Sequence, residues 1–341
     1  MRVLTVSSPD CSIRYMKCST CYKLSRLVMV LIFGALMNSH VQAAQDQPPR
    51  LSVVTTTAMV ADAVKHVGGD RVEVVSIMGE GVDPHLYKPK ASDIRRILAA
   101  DLVFYTGLKL EGRMGDTFKR ARERGLPVQP ITAGLPKEQL LVDPEDEAHP
   151  DPHVWMDVQL WASTLDEVVK VLCEKDPEGC ETYRLNAAAY QASLKALHQR
   201  IKTMVETIPE PQRVLVTAHD AFGYFGRAYG IKVHGIQGIS TESEAGLADL
   251  NELVAYLVEH QIPATFVESS VSRKNVQALI EGTRARGHEI VIGGELYSDA
   301  MGKPGTPEGT YVGMMRHNAE TVCKALGGST ASSEGEPEAG S

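Results

Sequence analysis

From Leu51 onward, short apolar runs rich in β-branched residues alternate with stretches in which apolar positions recur every three or four residues. The first pattern is that of buried strands and the second that of amphipathic helices. In the first half this predicts strands at 51–57, 72–78, 102–106 and 128–132, with helices at 59–67, 91–100 and 114–124 between them. The second half repeats the plan, with strands at 214–217, 232–236, 264–268 and 289–292. Its helices fall at 222–229, 245–260, 274–286 and 311–326. Strands separated by helices imply parallel sheets covered on both faces, so the fold class is α/β. The expectation is two lobes, each a four-stranded parallel sheet flanked by helices.

Between the halves, Tyr183, Ala187, Tyr190, Leu194, Leu197, Ile201 and Val205 mark one apolar face, and no Gly or Pro interrupts the run until Pro209. A helix of about 26 residues would be about 39 Å long. It would join the lobes as a stiff strut, the alternative being a surface helix within one large domain. The domain plan is then a signal peptide at 1–43, an N-terminal lobe at 44–182, a linking helix at 183–208, a C-terminal lobe at 209–326 and a disordered Gly/Ser/Glu-rich tail at 327–341.

Composition changes this picture at the N-terminus. Lys17, Lys23 and Arg26 precede an apolar run from Leu27 to Leu36, and small residues end at Ala43. That order is typical of a secretory signal with cleavage near Ala43. The run is shorter than the about 20 residues a membrane span needs. An uncleaved anchor is the competing reading, and Met16 is a second possible start. Cleavage would remove five basic residues and one acidic one, taking the formal charge from −8 to −12. An acidic chain with no basic patch excludes nucleic acid as the natural partner. Of six cysteines, Cys173, Cys180 and Cys323 lie beyond residue 43. Export permits a disulfide. Cys173 and Cys180 flank the turn Asp176-Pro177-Glu178-Gly179 between two helical stretches, so a local bridge competes with two free thiols, leaving Cys323 unpaired and buried.

In open α/β sheets ligands bind beyond the carboxyl ends of the strands. Metal-capable side chains at those positions are His85, His153, His219 and Asp299, two from each half. Three imidazoles and one carboxylate form an N₃O set suited to zinc, and a bidentate Asp299 would also suit manganese. Taken singly, each is as readily a loop or capping residue, and their spacings of 68, 66 and 80 residues form no compact motif. His149 lies four residues before His153, but Pro150 and Pro152 make that segment a loop, so exposure is expected. His198, His234, His260, His288 and His317 are assigned to surface or packing roles. Glu268, at the end of a strand, is either an outer partner that fixes an imidazole or a structural loop bond.

Seven ordered segments resemble the zinc/manganese class of periplasmic solute-binding proteins, the TroA-like family. Among them are Gly81-Val-Asp-Pro-His-Leu-Tyr87, Asp151-Pro-His-Val-Trp-Met-Asp157, Val216-Thr-Ala-His-Asp-Ala-Phe-Gly-Tyr-Phe225 and Gly293-Gly-Glu-Leu-Tyr-Ser-Asp-Ala-Met-Gly302. The others are Tyr105 to Glu111, Gln237 to Glu244 and Val267 to Ser270. The resemblance implies one Zn²⁺ or Mn²⁺ ion per chain, held by His85, His153, His219 and Asp299. It further implies delivery to an ABC-transporter permease and its ATPase, a periplasmic location, a monomer without a membrane span in mature form, and no enzymatic activity. Manganese-selective carriers of this family have Glu at the position of His219, and dedicated zinc carriers often have a His-rich loop. Here that loop, residues 136–152, is acidic with only His149. Metal affinity is expected to fall as pH drops toward 6. A metal hydrolase is the rival class, but no His-Glu-x-x-His helix is present. A surface adhesin with a structural metal is the third.

Overall fold

The computed structural model describes residues 50–142 and 149–330. The expected signal peptide, residues 143–148 of the acidic loop and the last eleven residues of the tail lie outside the described residues.

The first lobe contains β1 (Leu51–Thr55), α1 (Ala58–Gly68), β2 (Val72–Ser76), α2 (Ala91–Ala99), β3 (Leu102–Tyr105), α3 (Gly115–Glu123) and β4 (Val128–Pro130). Its four strands pair in parallel in the order β2-β1-β3-β4. Then come α4 (Val158–Lys175) and α5 (Cys180–Glu206). The second lobe follows as β5 (Val214–His219), α6 (Gly223–Tyr229), β6 (Lys232–Gln237), α7 (Leu247–His260), β7 (Ala264–Glu268), α8 (Lys274–Ala285), β8 (Val291–Leu296) and α9 (Tyr311–Ala325). Its strands form two two-stranded parallel ladders, β5-β6 and β7-β8, in place of the single four-stranded sheet expected from the sequence, because β5 and β7 are not joined by a backbone ladder. β5 and β7 adjoin through side chains: Thr265 Oγ1 donates to the Val216 carbonyl, and the His219 amide donates to Glu268 Oε1. The same residue offset in both bonds means that the two strands run the same way.

Alternation along the strands decides how the layers stack. Val53, Phe104, Leu215 and Phe266 face one continuous core, which also takes in α1, α4, α5 and α9. Their neighbours Val54 and Val103 pack beneath α2 and α3 in a separate cluster. In the same way Val214, Val216 and Val267 pack beneath α7 and α8. Each sheet therefore has a private outer core and a face shared with the other lobe.

The strut at the centre of that shared core is α5. It is 27 residues long, about 40 Å at 1.5 Å per residue. Its buried face carries all seven residues of the sequence pattern, and Met204. It packs on α1 and α4 from the first lobe and on α6 and α9 from the second. Cys173 and Cys180 are bridged across the α4–α5 turn, with Cα atoms 4.6 Å apart, and Cys323 is free and buried.

One strand differs from expectation in a way that matters for the site. β8 runs through Gly293-Gly294 to Leu296, whereas the sequence pattern suggested an end at Ile292. The glycines are there for close packing: a Cβ at Gly293 would lie 2.7 Å from Ala325 Cβ and from Phe266 Cε1. The register shifts at this point, Thr265 pairing with Ile292 and Phe266 with Gly294. The strand thereby carries the chain to within three residues of Asp299.

Candidate metal centre

Each of the four sequence-predicted side chains emerges beyond a strand. His85 lies in the loop after β2, and His153 precedes a single 3₁₀ turn (Val154–Met156) that leads into α4. His219 is the last residue of β5, and Asp299 follows β8. Their ligating atoms all lie within 4.8 Å of one another. Relative exposure is 6% for His85, 0% for His153 and His219, and 1% for Asp299, so bulk water does not reach the cluster. Among the described residues it is the only such group of three or more His, Cys, Asp or Glu side chains.

Two Asp-Pro-His segments build the first-lobe half. In Asp151-Pro152-His153, Asp151 Oδ1 accepts from the His153 amide at 2.9 Å and from its ring Nδ1 at 2.7 Å. That fixes the ring plane and leaves Nε2 facing the centre. In Asp83-Pro84-His85, Asp83 Oδ1 accepts from the His85 amide at 2.8 Å and weakly from the Leu86 amide at 3.4 Å. It makes no bond to the ring.

From the second lobe, Glu268 serves His219. Its Oε1 accepts from the His219 amide at 2.8 Å, and its Oε2 lies 2.5 Å from ring Nδ1, in ion contact but not in hydrogen-bond alignment. Asp299 lies among the three rings. Its Oδ1 is 3.3 Å from His153 Nε2, and its Oδ2 is 3.2 Å from His219 Nε2 and 3.9 Å from His85 Nε2. His85 Nε2 and His153 Nε2 are 3.3 Å apart.

Electrostatics differ from ring to ring. Burial pulls His85 down to about 3, with Asp299 only partly opposing. Burial also lowers His153, but the Asp151 carboxylate and then Asp299 outweigh it, raising this ring to about 9. His219 is raised well above its ordinary value because Glu268 and Asp299 overcome burial. Asp299 is held well below the usual carboxylate range, its desolvation outweighed by His219 and His153.

At the centre, His219 Nε2 and both Asp299 oxygens are buried without a hydrogen-bond partner. A buried carboxylate left in that state is costly, commonly about 1–3 kcal/mol or more. Three imidazole nitrogens facing a carboxylate make a donor set that a divalent cation satisfies at a stroke.

The remaining histidines considered from the sequence are elsewhere. His149 contacts Lys109, His260 and His288 bond backbone carbonyls, and His317 Nε2 meets the Glu295 carbonyl. His198 packs near Tyr229, and His234 packs near Tyr256. Asp151 and Asp83 were not singled out as partners from sequence. The signal was available, because both stand two residues before a histidine with proline between.

Two α/β lobes on one buried strut, with a cation-sized cluster drawn equally from both, define the class of two-lobed solute-binding proteins. The family model described as zinc-uptake complex component A, periplasmic (ZnuA), matches residues 53–325, and the chain belongs to that family. It is 46% identical over 284 residues to the manganese-binding lipoprotein MntA of Bacillus subtilis (strain 168), covering 83% of this chain and 92% of that protein. It is 45% identical over 306 residues to the zinc-binding protein TroA of Treponema pallidum (strain Nichols), covering 90% and 97%. The structure of the periplasmic zinc-binding protein TroA from Treponema pallidum superimposes with a TM-score of 0.78, covering 81% of this chain and 99% of that one.

Proposed function

We propose that this chain is the exported binding protein of a metal ABC transporter, capturing one Zn²⁺ or Mn²⁺ ion with His85, His153, His219 and Asp299. The observation that carries this reading is the buried Asp299 carboxylate, ringed by three imidazoles and without a hydrogen-bond partner on either oxygen. Family membership and similarity to one relative named for zinc and another named for manganese support both metals.

The shell favours carriage over catalysis. All four ligands are buried, and the carboxylates beside it, Asp151 and Glu268, are engaged with His153 and His219. A metal-activated water needs an open coordination position and a free base, and a closed shell supplies neither. Protons and metal compete for the imidazole nitrogens, so binding strengthens as pH rises. The cargo is handed to a permease driven by an ATPase after the lobes part. No helix among the described residues is long and apolar enough to cross a membrane. The basic and apolar order of residues 17–43 supports export with cleavage near Ala43, and the mature chain is taken to act as a monomer.

Elemental analysis of protein purified without added metal, followed by zinc and manganese titration, tests the proposal. One equivalent of bound ion is expected, lost in D299A. Binding at more than one equivalent, or unchanged binding in D299A, would overturn it.

A further inference from the structure

Of the three imidazoles in the cluster, His85 is held differently. His153 and His219 each have a carboxylate at ring Nδ1, whereas the described residues provide none for His85. His85 is also the most accessible of the four side chains. Its position depends on its backbone, and its backbone depends on Asp83.

Asp83 is a two-ended bracket. Oδ1 accepts from the His85 amide, while Oδ2 accepts a 2.6 Å bond from Thr241 Oγ1, on the second-lobe loop between β6 and α7. The same loop reaches across again at Glu242, whose Oε1 receives Arg113 Nε at 2.7 Å. Arg113 belongs to the first lobe. At Gly81, φ +67°, a Cβ would lie 3.5 Å from the Ser269 carbonyl, so the His85 loop also leans on the end of β7. These contacts bridge the lobes at the mouth, not in the shared core.

The two polar bridges are not equal. Arg113 and Glu242 are 34% and 50% exposed at their side chains, and a solvated pair of this kind contributes little. The Thr241–Asp83 bond is partly buried and has a charged acceptor, which places it among the stronger hydrogen bonds.

We propose that Asp83 is a positioning residue that ties His85 to the opposite lobe through Thr241, so that opening of this clasp releases the outermost ligand and sets the rate at which metal leaves. The proposal rests on the four-residue site binding metal. Parting Thr241 from Asp83 frees the 81–87 loop. His85 can then swing out while His153, His219 and Asp299 stay anchored. The metal drops from four protein ligands to three and becomes open to an incoming competitor.

The test is stopped-flow release of zinc from loaded protein into an excess of a colorimetric chelator. T241V should release zinc about tenfold faster than wild type, the scale of one charge-assisted hydrogen bond. T241S should match wild type, and E242Q should change the rate less than T241V. D83A should release at least as fast as T241V, and adding T241V to D83A should change nothing further, because the two act through one bond. Release from T241V within twofold of wild type, or independent effects of D83A and T241V, would overturn the clasp. Wild-type protein that binds no zinc would overturn the metal site itself, a distinct outcome. Thr241 is not in a hydrophobic core cluster and T241S restores its hydroxyl, so misfolding would not imitate the expected pattern.

Discussion

Metal chemistry at the centre depends on carboxylates one step removed from it. Asp151 bonds His153 at both backbone and ring, so it sets the orientation of Nε2 and the electron density behind it. Removing such a partner typically costs 10–100-fold in affinity. D151N should therefore weaken zinc binding by roughly that factor in a competition titration, with the fold intact by circular dichroism. A result within twofold of wild type would show that His153 needs no such support. The proposed ligand role of His219 carries a prediction about selectivity. An imidazole favours zinc, whereas an added carboxylate oxygen suits manganese. H219E should lower zinc affinity more than manganese affinity, read as the ratio of the two dissociation constants. An unchanged ratio would remove His219 from the shell.

At the scale of elements, the turn between α4 and α5 keeps the strut in place. Arg71, just before β2, gives Asp176 a two-pronged bond at 2.7 and 2.8 Å, and the Tyr183 hydroxyl adds a third at 2.6 Å. The Arg71 bond chiefly lowers the Asp176 pKa from its ordinary 3.8 to about 2, against the opposing effect of burial. Because the folded pKa lies below the unfolded one, this stabilisation is complete above about pH 4 and is lost as pH falls through 2. D176N should cost about 1–2 kcal/mol at pH 7, discounted because the pair is partly solvated. In urea melts, the gap between D176N and wild type should narrow between pH 4 and pH 2; a constant gap would assign the effect to packing. Further along the strut, Ile201 is fully buried in the shared core. I201A should cost about 2–5 kcal/mol through transfer and cavity terms, and a loss under 1 kcal/mol would mean that the strut is not held by that face.

For the molecule as a whole, one core running from β1 through α5 to α9 makes the two lobes a single packed body. Cooperative unfolding and small lobe movements follow, because close-packed interiors resist deformation. In the proposed function metal is cargo and not part of that core, so stripping it should leave the far-ultraviolet circular dichroism unchanged. Reloading should then stabilise the fold by about 4 kcal/mol when free metal is 1,000 times its dissociation constant. Collapse of secondary structure on chelation would instead indicate a structural metal, as in the adhesin reading.

The strand and helix alternation, the strut and its buried face were legible because periodicity is a local property of the chain. Each of the four cluster residues could be placed beyond the end of a strand for the same reason. The end of β8 was misread because Gly293 and Gly294 resemble a turn until Ala325 and Phe266 are seen against them. Asp151 and Asp83 were overlooked because nothing in Asp-Pro-His states which carboxylate turns to its own ring and which reaches across to another lobe.

By itself, then, the sequence determined the kinds of element, their order, and a short set of side chains able to hold a cation. These are consequences of side-chain chemistry and spacing along one dimension. Only the tertiary structure decided that side chains 66 to 80 residues apart in sequence gather within 4.8 Å, and that Thr241 closes on Asp83. Those outcomes arise from packing the strands of two lobes against one helix, a long-range constraint that no local pattern encodes.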